Sequence, residues 1–276
     1  MQSHWFSVGP LVPWAQPGIG AVATQANVEV AYGPRGLAGL REGRDAQAVL
    51  DRLVAADPLA ATRQVAIVDR TGRVAVHTGE QCMAYAGHAV GDGVSCQANI
   101  MANAEVWPAM LAAYEAASGE LAGRLMAALR AAEAAGGDLR GRQSGAILVV
   151  PADGEPWDCT VALRVEDDPD PLGELERLLV LDEAYVLAGT ADTLTGERRH
   201  DEAATLYRRA LELVPGSAEL RFWAGLGTAQ QGDLDAGVAL VREAIAAHAG
   251  WGELLGRLTP ELSPVAADVR ARLDSH

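Results

Sequence analysis

The sequence predicts an α+β protein with a strand-containing N-terminal part and an all-helical C-terminal part. Three observations predict this division. Strand-like runs joined by a hairpin turn occur in residues 1–165, an acidic, proline-containing stretch occupies 166–170, and a repeat with a period of 34 residues follows. We therefore expect two domains, 1–165 and 171–276, with 166–170 as a solvated linker.

The N-terminal part carries clear local signals for strands and helices. Asp69-Arg70-Thr71-Gly72 separates two apolar runs and predicts a hairpin turn. Asp45 is typical of a helix N-cap, and Gly136-Gly137 of a helix C-terminus. The patterns predict strands at 2–8, 20–26, 64–69, 73–78, 88–98, 144–150 and 158–165, and helices at 34–42, 45–56, 104–117 and 119–135. This arrangement favours an antiparallel or mixed sheet layered with helices, and no GxGxxG supports a Rossmann order.

The C-terminal part repeats its small and apolar residues at an interval of 34 residues. The equivalent positions are Ala203 and Gly237, Tyr207 and Val241, and Ala210 and Ala244. Small residues at these places let antiparallel helices pack closely, and the pattern resembles the tetratricopeptide repeat. The predicted units are 184–217 and 218–249, with the Gly232-Asp233 turn in the second. Two units are too few for a free-standing solenoid, so we expect capping helices at 171–183, 251–257 and 264–273.

Composition and charge exclude several classes of function. The formal net charge is −15, which disfavours binding to nucleic acid. All 22 basic residues counted as Lys or Arg are Arg, so catalysis by a lysine is excluded. The cysteines Cys82, Cys96 and Cys159 fit reduced thiols in a cytoplasm. No apolar run is long enough for a membrane span, the N-terminus does not resemble a signal peptide, and no metal-ligand pattern occurs. We therefore expect a cytoplasmic protein with neither membrane nor nucleic-acid contacts, and with no metal or cofactor.

Four groups of polar residues fall at the predicted strand ends, where sheets commonly present functional groups. They are Ser3-His4-Trp5 with Ser7, Thr24-Gln25 followed by Tyr32-Gly33-Pro34-Arg35-Gly36, Gly87-His88 with Cys96-Gln97-Ala98-Asn99, and 136–144. The last has the sequence Gly-Gly-Asp-Leu-Arg-Gly-Arg-Gln-Ser.

Together these motifs resemble the bacterial family called domain of unknown function 1028. The resemblance covers about 1–165. It implies a fold similar to the N-terminal-nucleophile (Ntn) hydrolases, a four-layer α-β-β-α sandwich, and family members often carry a helical or repeat extension. In Ntn hydrolases the N-terminal residue is the nucleophile and its α-amine is the base.

The resemblance also implies a missing piece, because family members begin with a short strand and a hairpin before Gln-Ser-His-Trp. This sequence starts at the end of that second strand, and Met1 has no nucleophilic hydroxyl or thiol. We expect that the true start lies upstream of Met1; the alternative is a version of the fold without the nucleophile.

Individual polar residues have a functional and a structural interpretation. Gln97 and Asn99 lie on one strand face, where they would form an oxyanion hole or bind an amide, or else satisfy buried backbone groups. Thr24 and Gln25 have the same two interpretations.

Two arginines and a serine follow the glycine pair. Arg140 and Arg142 would bind a substrate carboxylate or hold their loop, and Ser144 is a weak candidate for an internal nucleophile. Ser3 and His4 are adjacent in a strand and cannot form a dyad with each other.

Two functions are consistent with these patterns. The first is hydrolysis of an amide bond in a small molecule or peptide, with a pocket shaped by Thr24, Gln25, Gln97, Asn99, Arg140 and Arg142. The second is a non-catalytic scaffold whose tetratricopeptide-like helices bind a protein partner, or merely brace the first domain. A homodimer is expected in either case, because the first strand needs cover.

Overall fold

A computed structural model describes residues 1–275. The chain forms two compact units, Met1–Glu176 and the part from Arg177 onward. The division falls inside a helix, α5 (Pro171–Gly196), which starts where the sequence predicts. The prediction of a separate capping helix at 171–183 is wrong, because α5 continues through these residues to Gly196 without a break.

The first sheet of the N-terminal unit has four antiparallel strands in sequence order. They are β1 of the chain's other sheet excepted, β2 (Pro13–Gln16), β3 (Gly20–Ala26), β4 (Arg63–Asp69) and β5 (Val74–Thr78). One face packs against α1 (Tyr32–Arg41) and α2 (Ala46–Ala55), through a core that includes Val22, Val65 and Ile67. Asp45 caps α2 by accepting a hydrogen bond from the Ala48 N–H at 2.8 Å, which confirms the predicted cap.

The remaining strands form a hairpin and a three-stranded sheet. The hairpin pairs β6 (Gly87–Gly91) with β7 (Val94–Ala98), and the sheet has the order β1 (Gln2–Ser3), β8 (Ser144–Val149), β9 (Val161–Val165). Val94, Cys96 and Ala98 pack against α3 (Val106–Ala116) and α4 (Leu121–Ala134). The order of layers through the hairpin is therefore helix pair, sheet, hairpin, helix pair.

Three predicted strands differ from the observed ones. The strand predicted at 2–8 ends at Ser3, and Ser7 takes a positive φ of 53° that no strand residue adopts. The strand predicted at 88–98 is two strands, because Asp92-Gly93 turns the chain with Gly93 at φ 67°. The strand predicted from 158 begins only at Val161, and β2 was not predicted.

The helical unit contains the predicted repeat. Its helices after α5 are α6 (His200–Leu213), α7 (Ala218–Gln230), α8 (Leu234–Ala247), α9 (Gly250–Leu255) and α10 (Ala266–Asp274). α6 and α8 start at 200 and 234 and end at 213 and 247, an interval of 34 residues at both ends. A Cβ added to Gly237 would lie 2.5 Å from the Gly225 carbonyl oxygen, so the crossing of α7 and α8 requires glycine. No helix among residues 1–275 is long and apolar enough to cross a membrane.

Candidate functional site

Three polar side chains align across the middle of the first sheet. Gln25 on β3 is opposite Gln64 on β4, and Gln64 is opposite Thr78 on β5, so all three side chains lie on one face. This face is the one away from α1 and α2. Gln64 is completely buried, and its Oε1 accepts hydrogen bonds from Gln25 Nε2 at 2.7 Å and from Asn99 Nδ2 at 3.2 Å.

The other end of the Gln64 amide fastens the hairpin to the sheet. Its Nε2 donates to the carbonyl oxygens of Gly87 at 3.0 Å and Ala98 at 2.9 Å, which are cross-strand partners. Because a carbonyl oxygen can only accept, these two bonds fix the orientation of the amide. Nε2 also lies 2.9 Å from Thr78 Oγ1. We call Gln25, Gln64, Thr78, His88, Gln97 and Asn99 the amide cluster.

The outer part of the amide cluster presents hydrogen-bonding groups to solvent. Gln97 is directly opposite His88 on the hairpin, and His88 Nδ1 lies 2.9 Å from Thr78 Oγ1. Gln97 Oε1 accepts a bond from Ser95 Oγ at 2.8 Å, whereas Gln97 Nε2 has no hydrogen-bond partner among residues 1–275. Asn99 Nδ2 uses one of its two protons. N–H donors of this kind suit the carbonyl oxygen of an amide.

Thr24 does not join the cluster. It is completely buried on the opposite face of β3, as expected for the neighbour of Gln25, and its hydroxyl donates to the Glu29 carbonyl at 3.2 Å. The structural interpretation therefore fits Thr24, while Gln25, Gln97 and Asn99 come together.

The second polar group is the loop that follows α4. Gly136 and Gly137 end the helix with positive φ angles, as predicted, and turn the chain into Asp138. Arg140 holds Asp138 with two bonds, Nε to Oδ1 at 3.0 Å and NH2 to Oδ2 at 2.8 Å. Burial alone would raise the pKa of Asp138. The bonds from the Arg140 guanidinium and from the N–H groups of Arg140 and His4 outweigh burial and hold that pKa below its usual value.

Arg140 keeps a solvent-facing edge. Its side chain is 36% exposed, its NH2 lies 3.4 Å from Ser3 Oγ, and its NH1 makes no hydrogen bond with the described residues. The ion pair with Asp138 therefore fixes the guanidinium plane and leaves one edge for a ligand.

Arg142 is engaged with acidic neighbours. Its guanidinium lies 3.3 Å from Asp170 and 3.7 Å from Glu133. Burial raises the pKa of Glu133, against the charges of Arg142 and Arg130, and Glu133 Oε1 is buried without a hydrogen-bond partner in the described chain. These contacts match the interpretation of Arg142 as a residue that holds the loop.

Ser144 has the environment of a structural serine. It is completely buried, its hydroxyl donates to the Trp5 carbonyl at 2.6 Å, and it accepts from the Val8 N–H at 3.4 Å. No base faces the hydroxyl in these contacts, so its one proton stabilises the loop after β1.

The amide cluster and the Arg140 loop meet at residues 99–101. The Leu139 N–H donates to the Ile100 carbonyl at 2.9 Å, and Met101 forms a β-bridge with Asp138. Gln97 and Ile100 are three residues apart, which corresponds to roughly 10 Å of extended chain. The two groups of polar side chains thus border one stretch of surface.

Sequence reasoning missed Gln64, Thr78 and the role of His88. A signal existed, since the predicted hairpin turn at 69–72 fixes the register that places Gln64 opposite Thr78. The motif at 32–36, in contrast, serves packing. A Cβ on Gly33 would lie 2.3 Å from the Trp14 ring, and the Tyr32 hydroxyl donates to Asp57 at 3.0 Å.

Neither metal nor thiol chemistry finds a place in the described chain. No group of three His, Cys, Asp or Glu side chains among residues 1–275 is arranged to hold a metal ion. Burial, with the charge of Glu115, raises the pKa of Cys96 to about 11, so this thiol stays protonated at neutral pH.

Comparisons with known proteins give a family and one related structure. Residues 1–175 match the family of unknown function DUF1028. A crystal structure of a DUF1028 protein from Silicibacter pomeroyi is 30% identical, with a TM-score of 0.59 over 64% of this chain and 79% of that one. No curated protein matches the chain. Because the family match spans more than half of the sequence, the chain belongs to the DUF1028 family.

Proposed function

We propose that the N-terminal unit is an Ntn-hydrolase-like sandwich that hydrolyses an amide bond in a short peptide or an acylated amino acid. The observation that carries this proposal is the convergence of Gln25, Gln97 and Asn99 on Gln64, beside the Arg140 loop. The order of helix pair, sheet, hairpin and helix pair supports the sandwich.

The rim of the amide cluster is the proposed place for the scissile carbonyl. Gln97 Nε2 and the unused proton of Asn99 Nδ2 would donate to its oxygen and stabilise the negative charge that develops there. Gln97 is anchored through Ser95, and its backbone carbonyl accepts from Gln25 Nε2 at 3.4 Å. The donors are therefore held before a substrate arrives.

Arg140 is the proposed anchor for a substrate carboxylate. The distance of roughly 10 Å between Gln97 and Ile100 matches about three residues of extended peptide. A peptide with its carbonyl at Gln97 would thus bring its C-terminal carboxylate toward the exposed edge of Arg140. Arg142, which is engaged with Asp170 and Glu133, would hold the loop in place.

Calorimetric titration with N-acetylated tripeptides tests this proposal. We expect binding that falls about tenfold in Arg140→Gln, since a hydrogen bond to a charged group contributes about 1.5–3 kcal/mol. The same peptides with amidated C-termini should bind the wild type as weakly as free-acid peptides bind the variant. Arg73→Gln is the matched control, because Arg73 forms an exposed pair with Asp45 at 3.8 Å. Equal binding of free-acid and amidated peptides would contradict the role of Arg140, and absence of binding by either would contradict the proposal as a whole.

A second candidate function is partner binding by tetratricopeptide-like helices. The 34-residue interval between the bounds of α6 and α8 supports it, and Val180, Tyr185 and Val186 on α5 are exposed. A photo-crosslinker at position 186 of the full chain, expressed in the native cells, should capture one partner that Arg at position 180 abolishes. Crosslinks that ignore that second change would count against this function.

A further inference from the structure

We propose that Thr78 and His88 are the nucleophile and the general base of an acyl-transfer centre in the amide cluster. The inference rests on the proposed function, for which it supplies the reacting groups. It is carried by the hydrogen bond between Thr78 Oγ1 and His88 Nδ1, 2.9 Å long, on the accessible side of the cluster.

The surrounding bonds direct the proton of Thr78 toward His88. Gln64 Nε2 also contacts Thr78 Oγ1, but its orientation is fixed by the carbonyl oxygens of Gly87 and Ala98, so it can only donate. His88 Nδ1 is then the acceptor available to the hydroxyl when that nitrogen carries no proton. A hydroxyl that donates to an imidazole is the arrangement that activates serine and threonine nucleophiles.

Position and exposure distinguish this pair from the other hydroxyls of the unit. Thr78 is the last residue of β5 and is half-buried, and His88 is the second residue of β6 and is exposed, so a substrate can approach both. Ser144, in contrast, is completely buried and donates to a carbonyl. Gln97, opposite His88 on the hairpin, places N–H donors beside the pair.

The proposed reaction has two balanced steps. In the first, Thr78 Oγ attacks the amide carbonyl carbon while its proton passes to His88 Nδ1. The C–N bond then breaks, the leaving nitrogen takes the proton from His88, and an acyl ester remains on Thr78. In the second, a water molecule gives a proton to His88 and attacks the ester carbonyl. The C–O bond to Thr78 breaks, and the hydroxyl recovers its proton. Gln97 Nε2 would stabilise the oxyanion in both steps.

Acetylation of the full-length protein by p-nitrophenyl acetate tests the pair directly. We expect a burst of p-nitrophenol and one acetyl group, found by mass spectrometry on the peptide that contains Thr78. The absence of lysine removes the commonest competing acceptor. Thr78→Val keeps the size and branching of the side chain and should abolish the burst, whereas Thr78→Ser should keep it. His88→Gln should slow acetylation about 100-fold.

Matched controls and the peptide titration separate the two proposals. Thr190→Ala and His200→Gln, both in the helical unit, should acetylate like the wild type, and circular dichroism should show each variant folded. Acetylation elsewhere, or an undiminished burst in folded Thr78→Val, would overturn the pair. If Thr78 is acetylated but N-acetylated tripeptides do not bind, the pair stands and the substrate class fails. If those peptides bind through Arg140 but Thr78 is not acetylated, the pair fails and the binding site stands.

Discussion

The two units are held together by different means. In the N-terminal unit, buried polar side chains join segments far apart in the sequence: Gln64 contacts residues 25, 78, 87, 98 and 99. In the helical unit, small residues let consecutive helices approach, as Gly225 and Gly237 do. The first arrangement creates a site with oriented donors, whereas the second creates a regular stack. This difference is the reason to place the chemistry in the first unit.

Arg63 is the strongest expected weak point of the N-terminal unit. Its guanidinium is buried, donates to Asp57 Oδ2 at 2.8 Å and to the Asn27 carbonyl, and the same Asp57 oxygen accepts from the Tyr32 hydroxyl at 3.0 Å. Arg63→Met would leave Asp57 without its charged partner, and we expect the free energy of unfolding to fall by about 3–5 kcal/mol. Urea denaturation measures it. Arg73→Met, at the exposed pair with Asp45, should cost about 0–1 kcal/mol. Equal costs at the two positions would contradict the importance of buried polar contacts.

The helical unit should be sensitive to added volume rather than to lost polar contacts. Gly237→Ala places a Cβ 2.5 Å from the Gly225 oxygen and 2.7 Å from Ala229 Cβ, and we expect a loss of about 1–3 kcal/mol. Gly189→Ala is the matched control, because a Cβ there meets nothing within 4 Å and alanine favours the helix by about 1 kcal/mol. Thermal unfolding of both variants checks the pair. A stabilising effect at Gly237 would show that the helices separate easily.

The Asp138–Arg140 pair should contribute a smaller, pH-dependent share of stability. Because the pKa of Asp138 is lowered in the folded protein, its contribution is present above the unfolded value of about 3.9 and is lost as the pH falls through the folded pKa. We expect Asp138→Asn to cost about 1 kcal/mol at pH 7, since Arg140 is partly exposed, and less below pH 4. Urea unfolding at several pH values measures this difference. A cost that grows as the pH falls would contradict the direction of the shift.

Helix caps should matter about equally in both units and so set a baseline for the comparison. Asp45 accepts from the Ala48 N–H at 2.8 Å and Asp233 from the Ala236 N–H at 3.0 Å. Alanine at either position should cost about 1 kcal/mol in thermal unfolding. A much larger loss at one cap would mean that its unit depends on that helix end more than the contacts indicate.

Local features of both units could be predicted from the sequence. The Asp69–Gly72 turn, the Asp45 cap and the Gly136-Gly137 helix end depend on a few neighbouring residues, and all three are confirmed. The period of 34 was visible because each unit contacts the next in the chain. The strand predicted at 88–98 was wrong because the apolar pattern continues across the Asp92-Gly93 turn.

The centre of the candidate site could be predicted only in part. Gln97 and Asn99 were recognised as one strand face, but their common partner Gln64 is distant in sequence and meets them only when sheet and hairpin stack. Thr24 was grouped with Gln25, although their side chains lie on opposite faces of β3. Arrangements that depend on the pairing of separate sheets leave little trace in a local pattern.

The most direct test of the account is the release of amine from N-acetylated tripeptides by the wild type, Thr78→Val and Arg140→Gln. The account predicts turnover by the wild type, none above background by Thr78→Val, and a raised KM with little change in kcat for Arg140→Gln. Equal turnover by the wild type and Thr78→Val, with both proteins folded, would contradict the placement of the chemistry in the amide cluster.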